Sequence, residues 1–386
     1  MARANGGGSG RHLALMVPNL TIGGAQRRMV LLARAFAERG CDVDLLVVDP
    51  SGPLREEVSS GVQLVSLDRW WTRVPPMALK KRWRVMASLP SLVSYLRRER
   101  PTALMPTSHS ACVTALLASQ IAHVSTRCVA RIDSVPSRAP ELAGTRTQRR
   151  RMRKARRFFP RADALIAISQ GVADDLIGEI GVRPERVTVI HNPIDKREIR
   201  ERASAPLEHP WFERGKPPVV LGAGRFVAQK DFATLLRAFA RVRAKREARL
   251  LILGEGPERL ALESLAQELG VAADVSLPGF VVNPLPYMKR ASVFVMSSAW
   301  EGFGHVLLEA LACGCPVVST DCPSGPAEIL EGGSFGPLVP VGDDAALAGA
   351  VEGILDQLPD PARLVKRVDA FDIDQIADRY LKVLLA

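Results

Sequence analysis

Two glutamates eight positions apart, Glu301 and Glu309, flank a glycine-bracketed turn in the run Ser297-Ser298-Ala299-Trp300-Glu301-Gly302-Phe303-Gly304-His305-Val306-Leu307-Leu308-Glu309. The preceding stretch, Ser292 to Met296, reads as a buried strand. Gly302 and Gly304 stand on either side of Phe303, where the backbone turns tightly or lets a ligand approach. A helix starts near His305 and stops at Gly314, with Pro316 just beyond. The first amides of that helix, at His305, Val306 and Leu307, lack helical acceptors and carry partial positive charge, which suits a phosphate. A carboxylate in the turn and another a little over two helical turns on can face one cleft if the turn hooks round. Carboxylates there accept hydrogen bonds from vicinal hydroxyls while the amides hold the phosphate. In outline this is a nucleotide-sugar site.

A second group fits the same chemistry. The strand Val219 to Leu221 leads into Gly222-Ala223-Gly224-Arg225-Phe226-Val227-Ala228-Gln229-Lys230-Asp231, and a helix follows from Phe232. A guanidinium fork at Arg225 and a point charge at Lys230, together at a strand's end, suit two linked phosphates. Nearer the N-terminus, a strand from His12 to Val17 runs into a loop containing Gly23 and Gly24, then a helix from Ala25 to Arg39. Strand, Gly-Gly loop and helix open a Rossmann-like half, without a G-x-G-x-x-G fingerprint. Strands at Thr102 to Pro106 and from Arg127 deliver Thr107-Ser108-His109-Ser110 and Ala130-Arg131-Ile132-Asp133 to the edge where open α/β sheets bind ligands.

The elements that position these groups alternate throughout. Strands are expected at Val43–Val48, Val62–Leu67, Asp163–Ile168, Val187–Ile190, Leu250–Leu253 and Val275–Leu277. A helix from about Leu79 to Arg98 is broken or kinked at Pro90. Ser169 is placed to cap a helix. The fold class is α/β with parallel sheets in two halves. The first domain spans residues 1–195, a proline-marked stretch at 196–217 reads as a linker, and the second domain spans 218–370.

Composition agrees. A chain of 386 residues with 47% apolar content supports two domains with large cores. No stretch approaches the roughly 18 to 20 apolar residues that span a membrane. Met1 to Gly10 lacks the apolar core of a signal peptide and reads as a floppy lead-in. The six cysteines are scattered, Cys313 and Cys315 do not have a zinc spacing, and reduced thiols in a cytoplasmic protein are expected. The Asp42-Val43-Asp44 and Asp372-Ile373-Asp374 pairs sit at a strand start and before a terminal helix, so no divalent metal is expected. Walker, H-E-x-x-H and G-x-S-x-G motifs are all missing.

Charge is lopsided. Residues 1–200 hold 33 Lys+Arg against 17 Asp+Glu, the remainder 19 against 24, and the whole chain is +11. Two clusters dominate: Arg69 to Arg73 with Lys80 to Arg84, and Arg146 to Phe159. Cations interleaved with Trp70, Trp71, Trp83 and Phe158 favour an anionic membrane surface over a plain solvated face, and both over nucleic acid.

The segment from Glu301 to Glu309, with Ala310-Leu311-Ala312-Cys313-Gly314-Cys315-Pro316 and the tail Asp321 to Leu330, resembles the E-x7-E region of retaining GT-B glycosyltransferases of family 4 (glycosyl transferases group 1), notably those building bacterial surface polysaccharides and lipid-linked glycans. The resemblance is strongest over 219–330 and weaker before 160. It implies two Rossmann-like domains facing a central cleft, with the last helix, within 371–386, returning to the first domain. It implies a nucleotide-sugar donor, UDP-linked, as co-substrate, no other cofactor, and a lipid-linked or polysaccharide acceptor. Arg225, Lys230 and the helix amides then bind the donor diphosphate, Glu301 the sugar hydroxyls and Glu309 the ribose. Gly254 and Phe280 lie by the nucleotide, and the Gly23-Gly24 loop lies by the donor phosphates or the acceptor. Many relatives carry a histidine where Arg131 falls. The catalytic set is therefore Glu301 with Arg131 or His109, and which of the latter two acts is open. The expected location is the cytoplasm, peripheral on the inner face of the membrane. A nucleotide-sugar epimerase on the same fold, or a non-catalytic polyanion- or membrane-binding protein, are the alternatives. Oligomeric state is not encoded in any of these features.

Overall fold

The structure, a computed structural model, describes residues 11–21, 23–70, 81–137 and 145–386. Part of the first basic cluster, including Trp71, Arg73 and Lys80, and the lead-in Met1 to Gly10 lie outside the described residues. The chain forms two compact units, one of residues 1–193 with 373–386 and one of residues 194–372.

The first unit runs β1 (His12–Asn19), α1 (Gly24–Glu38), β2 (Asp42–Asp49), β3 (Val62–Ser66), α2 (Lys81–Ala87), α3 (Leu89–Glu99), β4 (Ala103–Pro106), α4 (His109–Ala122), β5 (Arg127–Ile132), α5 (Arg146–Phe158), β6 (Ala164–Ala167), α6 (Gln170–Gly178) and β7 (Val187–Val189). Its sheet has the order β3-β2-β1-β4-β5-β6-β7, and every pairing is parallel. Parallel strands need crossover helices, which cover both faces. Accordingly the central strands are apolar runs with no alternation: β4 and β6 are buried at every position. The second unit runs α7 (Lys196–Ala203), β8 (Val219–Ala223), α8 (Phe232–Arg243), β9 (Arg249–Leu253), α9 (Arg259–Glu268), β10 (Val275–Gly279), α10 (Leu285–Arg290), β11 (Val293–Met296), α11 (His305–Ala312), β12 (Val317–Thr320), α12 (Pro326–Ile329), β13 (Leu338–Val339), α13 (Asp344–Asp356) and α14 (Pro361–Arg367). Its sheet, β10-β9-β8-β11-β12-β13, is also parallel. The order reverses between β1 and β4 in one sheet and between β8 and β11 in the other. Ligands bind outside the carboxyl ends of strands at such points.

Strand and helix positions expected from periodicity agree with these within a residue or two. Pro90 divides the expected 79–98 helix: α2 ends at Ala87 and Pro90 occupies the first turn of α3, where its missing N–H costs nothing. Ser169 caps α6, its hydroxyl accepting from the Val172 amide at 3.3 Å. The stretch 196–217, read as a linker, belongs to the second unit. It carries α7 and a short turn, Pro210–Phe212, whose Phe212 packs edge-on against Tyr287 at 5.9 Å, with His209 beside both. The prolines there shape a packed corner.

The chain's last helix, α15 (Ile373–Leu384), completes the first unit's core with Ile373, Ile376, Ala377, Tyr380 and Leu384. Arg39 spans it with a fork, Nε donating to Asp378 at 2.8 Å and Nη2 to Asp374 at 3.0 Å. Tyr380 packs on Phe36, ring centroids 6.4 Å apart, and its hydroxyl accepts from Arg131 Nε at 3.1 Å. Replacing Tyr380 by Ala removes a wholly buried ring and leaves Arg131 short of an acceptor. A stability loss of about 3–5 kcal/mol is expected, read by urea unfolding; a loss under ~1 kcal/mol would show that α15 is dispensable to this core.

Candidate active site

At the β8/β11 reversal two loops are fastened together. The Ala299 amide donates to the Gln229 carbonyl at 2.8 Å, and Ser297 Oγ to the Lys230 carbonyl at 2.8 Å. Lys230 Nζ sits 2.5 Å from Glu301 Oε1, which also accepts from Ser298 Oγ at 2.8 Å. Gln229 Nε2 donates to the Trp300 carbonyl at 3.0 Å. Glu301 is 9% exposed, so its charge is held by a cation and a hydroxyl with little help from water. The structure thus brings together Lys230 and Glu301, 71 residues apart in sequence.

Arg225 is exposed and makes no ion pair among the described residues. Gly254 takes φ +152, and a Cβ there would lie 1.8 Å from the Gly224 carbonyl oxygen, so only glycine lets these two strand ends meet. Gly304, at φ 85, is the residue before α11, whose first position is His305. His305 Nε2 lies 3.6 Å from Glu309 Oε1, one turn apart on the helix, and both are partly buried. Val306 is half-buried, whereas Leu307 is fully enclosed and its side chain belongs to the core. Phe303 is likewise core: it is 2% exposed and packs against Phe371 at 5.9 Å. Gly302 precedes it in the turn, so backbone rather than a Phe303 ring is what this position offers a ligand. Phe280, following Gly279, is 59% exposed.

At the β1/β4 reversal, in the first unit, Gly23 has extended backbone before α1 and Gly24 opens the helix. A Cβ on Gly24 would meet nothing within 4 Å, so no fold contact demands glycine there. Arg131, read as a possible catalytic cation, is instead 1% exposed. Besides Tyr380, its nitrogens reach Thr107 Oγ1 at 3.0 Å and Asn192 Oδ1 at 2.5 Å. It braces strand ends and α15 from inside, and its guanidinium is not presented at a surface. His109, by contrast, is half-buried. It begins α4 after Ser108, which is held at φ 73, an uncommon conformation for a non-glycine residue. The ring packs on Phe159 at 5.4 Å, and neither ring nitrogen has a hydrogen-bond partner. Burial, then the positive charges of Arg151 and Lys154, pull its pKa down to about 3, so it is a neutral imidazole near pH 7. His109 also lines a cavity of about 690 Å³ closed by α5. Periodicity gave no sign of this cavity; only the polybasic run marked the helix that walls it.

Residues 207–370 match the family described as Glycosyl transferases group 1, and residues 22–198 match Glycosyltransferase Family 4. The lipopolysaccharide core biosynthesis glycosyltransferase LpsE of Rhizobium meliloti is 30% identical over 375 residues, covering 94% of this chain and 96% of that protein. The chain belongs to the family 4 glycosyltransferases, of the GT-B type. A second relative, the N-acetylgalactosamine-N,N'-diacetylbacillosaminyl-diphospho-undecaprenol 4-alpha-N-acetylgalactosaminyltransferase of Campylobacter jejuni, is 34% identical over 234 residues, 59% of this chain and 61% of its own length. Among solved structures, Anabaena Alr3699/HepE in complex with UDP superposes with TM-score 0.76 at 21% identity, covering 97% of this chain and 99% of that one. The apo lipopolysaccharide outer core galactosyltransferase WaaB gives TM-score 0.73 at 18% identity, covering 96% and 98%. GT-B structures of this kind share the two parallel sheets described above.

The depressed His109 pKa has a consequence with a definite sign. Above pH 6.5 the imidazole is neutral folded or unfolded. As pH falls below 6.5 the unfolded chain takes up the proton and the folded one does not until about pH 3, so stability drains across that window. At pH 5 the loss is of the order of 2 kcal/mol. His109→Gln should remove this share: urea unfolding at pH 7 and pH 5 should show a smaller drop in the variant, and equal drops would mean the ring takes a proton in the fold.

Proposed function

We propose that the chain transfers a sugar from a UDP-sugar, of the UDP-GlcNAc, UDP-GalNAc or UDP-hexose kind, to a hydroxyl of a lipid-linked or lipopolysaccharide acceptor, with retention at the anomeric carbon. The observation that carries this is the Lys230–Glu301 pair set before the N-terminus of α11, with Glu309 further along the same helix. The names of the relatives support the acceptor class: one acts in lipopolysaccharide core biosynthesis and another on a diphospho-undecaprenol-linked sugar. A fold neighbour in complex with UDP supports the nucleotide.

The roles follow from the chemistry of each group. Lys230 and Arg225 meet the diphosphate, and the first amides of α11 add their partial charge. When Lys230 turns to the diphosphate, Glu301 is released to accept from the sugar hydroxyls. Glu309 accepts from the ribose, and exposed Phe280 offers a face to the base. Transfer proceeds on one face of the sugar: the bond from the anomeric carbon to the diphosphate oxygen breaks as the acceptor oxygen bonds to the same carbon, and the acceptor's proton passes to the departing phosphate. No enzymic nucleophile is required. Charge growing on the leaving group is met by Arg225 and Lys230, and we propose that they act without a divalent metal, so turnover persists in excess chelator.

Glu309→Ala should weaken UDP binding by about 1.5–3 kcal/mol, the worth of hydrogen bonds to a charged acceptor. Calorimetry checks this, and unchanged affinity would sink the ribose assignment. Arg225→Ala should fold normally, its side chain being exposed, yet lower turnover by tenfold or more; full activity would remove Arg225 from the diphosphate site.

We also propose that the first unit docks reversibly on anionic lipid. Trp70 is 74% exposed and Trp83 49%, and Arg146, Arg149 and Arg157 of α5 are exposed. No helix among the described residues is long and apolar enough to cross a membrane. Each cation near an anionic leaflet contributes about 1 kcal/mol, screened by salt. Co-sedimentation with anionic vesicles should fall with salt and weaken when Arg146, Arg149 and Arg157 become Glu; equal sedimentation with neutral vesicles would rule out this docking.

A further inference from the structure

The cavity walled by α5 is built within the first unit from α2, the β4–α4 junction, the end of β5 and one edge of α5. Four cations line it, Arg150, Arg151, Arg153 and Lys154, and none makes an ion pair among the described residues. Arg151 is the most enclosed of them. Its Nε has no partner, and desolvation lowers its pKa. Asp133 and Asp175 offset part of that cost from a distance, but neither forms an ion pair with it, and a guanidinium withdrawn from water without a contacting carboxylate is stabilised when an anion arrives. The opposite wall repeats the pattern. Ser108 Oγ and both nitrogens of His109 are buried without partners, at the N-terminal end of α4. Trp83, Met86 and Val113 supply apolar surface, and Lys154 Nζ rests on Met86 Sδ at 3.5 Å. One carboxylate, Asp133, also lines the space; its Oδ2 accepts from Thr107 Oγ1 at 3.3 Å, and four cations outnumber it.

We propose that this cavity binds a diphosphate joined to an apolar chain, the anionic junction of a lipid-linked acceptor. The cations, the Ser108 hydroxyl and Arg151 Nε take the phosphoryl oxygens. The apolar wall takes the first part of the chain. Neutral His109 donates one hydrogen bond without competing for the anion's charge balance, and Asp133 is left to accept a sugar hydroxyl. The cavity is mostly apolar between its charged rims, so a free anion fills only part of it and a neutral chain leaves the cations unmatched. The inference rests on the lipid-linked acceptor proposed above.

The test is calorimetry on the full chain with three probes below their aggregation limits: farnesyl diphosphate, inorganic diphosphate and farnesol. Farnesyl diphosphate should bind at least tenfold more tightly than either of the others. Arg150→Glu with Arg153→Glu, both exposed positions, should weaken it at least tenfold. Met86→Trp, which narrows the apolar side, should weaken farnesyl diphosphate severalfold and leave inorganic diphosphate unchanged. Inorganic diphosphate binding as tightly as farnesyl diphosphate would overturn the amphiphile and leave a plain anion site. Affinity unaffected by the double charge reversal would overturn the location. UDP binding is measured in the same samples. UDP bound normally with no farnesyl diphosphate bound defeats this inference alone, whereas farnesyl diphosphate bound with no UDP bound defeats the donor reading alone.

Discussion

Parallel strands cannot be joined by tight turns, and the crossovers that join them must leave a central strand in one direction or the other. That constraint governs both units. Where consecutive crossovers diverge, between β1 and β4 and between β8 and β11, the carboxyl ends of neighbouring strands feed loops that no helix covers. Lys230 and Glu301 stand at the second of these places, and His109 at the first. The apolar strands do the opposite job. With both faces covered they exclude water, so a charged side chain delivered to a strand end is either enclosed or aimed outward.

The arginines show how sharply that choice falls. Arg131 is the next-to-last residue of a strand whose five last residues are all buried, and its guanidinium is met by three neutral acceptors, from Thr107, Asn192 and Tyr380. Those contacts satisfy its donors without a counter-charge, which works because several oriented dipoles share one positive charge. One acceptor comes from α15, so the last residues of the chain are tied to the strand edge of the first unit. Arg151 has no such set. Its one hydrogen-bond acceptor among the described residues is Ser134 Oγ at 3.4 Å, and it lines a cavity. The same side chain serves as an internal brace in one place and as an unmatched charge in the other, and the difference lies in the number of acceptors within reach.

Much of this was readable in advance. The strands were apolar runs bounded by turn residues, and the turn Gly302-Phe303-Gly304 announced where α11 begins, since a left-handed residue before a helix favours glycine. The E-x7-E spacing put Glu301 in the turn and Glu309 on the helix. What could not be read was which side chains meet across long separations. Lys230 and Glu301 each looked like a ligand-binding charge, but nothing local says that they hold each other. Arg131 did carry a signal, because a charged residue inside the run Cys128-Val129-Ala130-Arg131-Ile132 of a two-face-covered strand has nowhere to go but inward. The 196–217 stretch failed for a related reason: proline content suggested a linker, while the aromatic run His209-Pro210-Trp211-Phe212, which needs burial, pointed to a packed corner.

The Lys230–Glu301 contact also constrains how the second unit handles charge. An unpaired lysine beside the open end of β8 would bind any small anion, and a buried glutamate without a cation would be driven toward its neutral form. Paired, the two present little net charge, and Ser298 and Gln229 fix the geometry of the carboxylate. In the proposed reading an incoming donor must therefore offer two things together, a diphosphate to engage Lys230 and hydroxyls to engage Glu301. Phosphate alone would strand the carboxylate, and a sugar alone would strand the amine. The pair thus favours a molecule that carries both groups at the right separation, and it does so through the cost of leaving either charge unmatched.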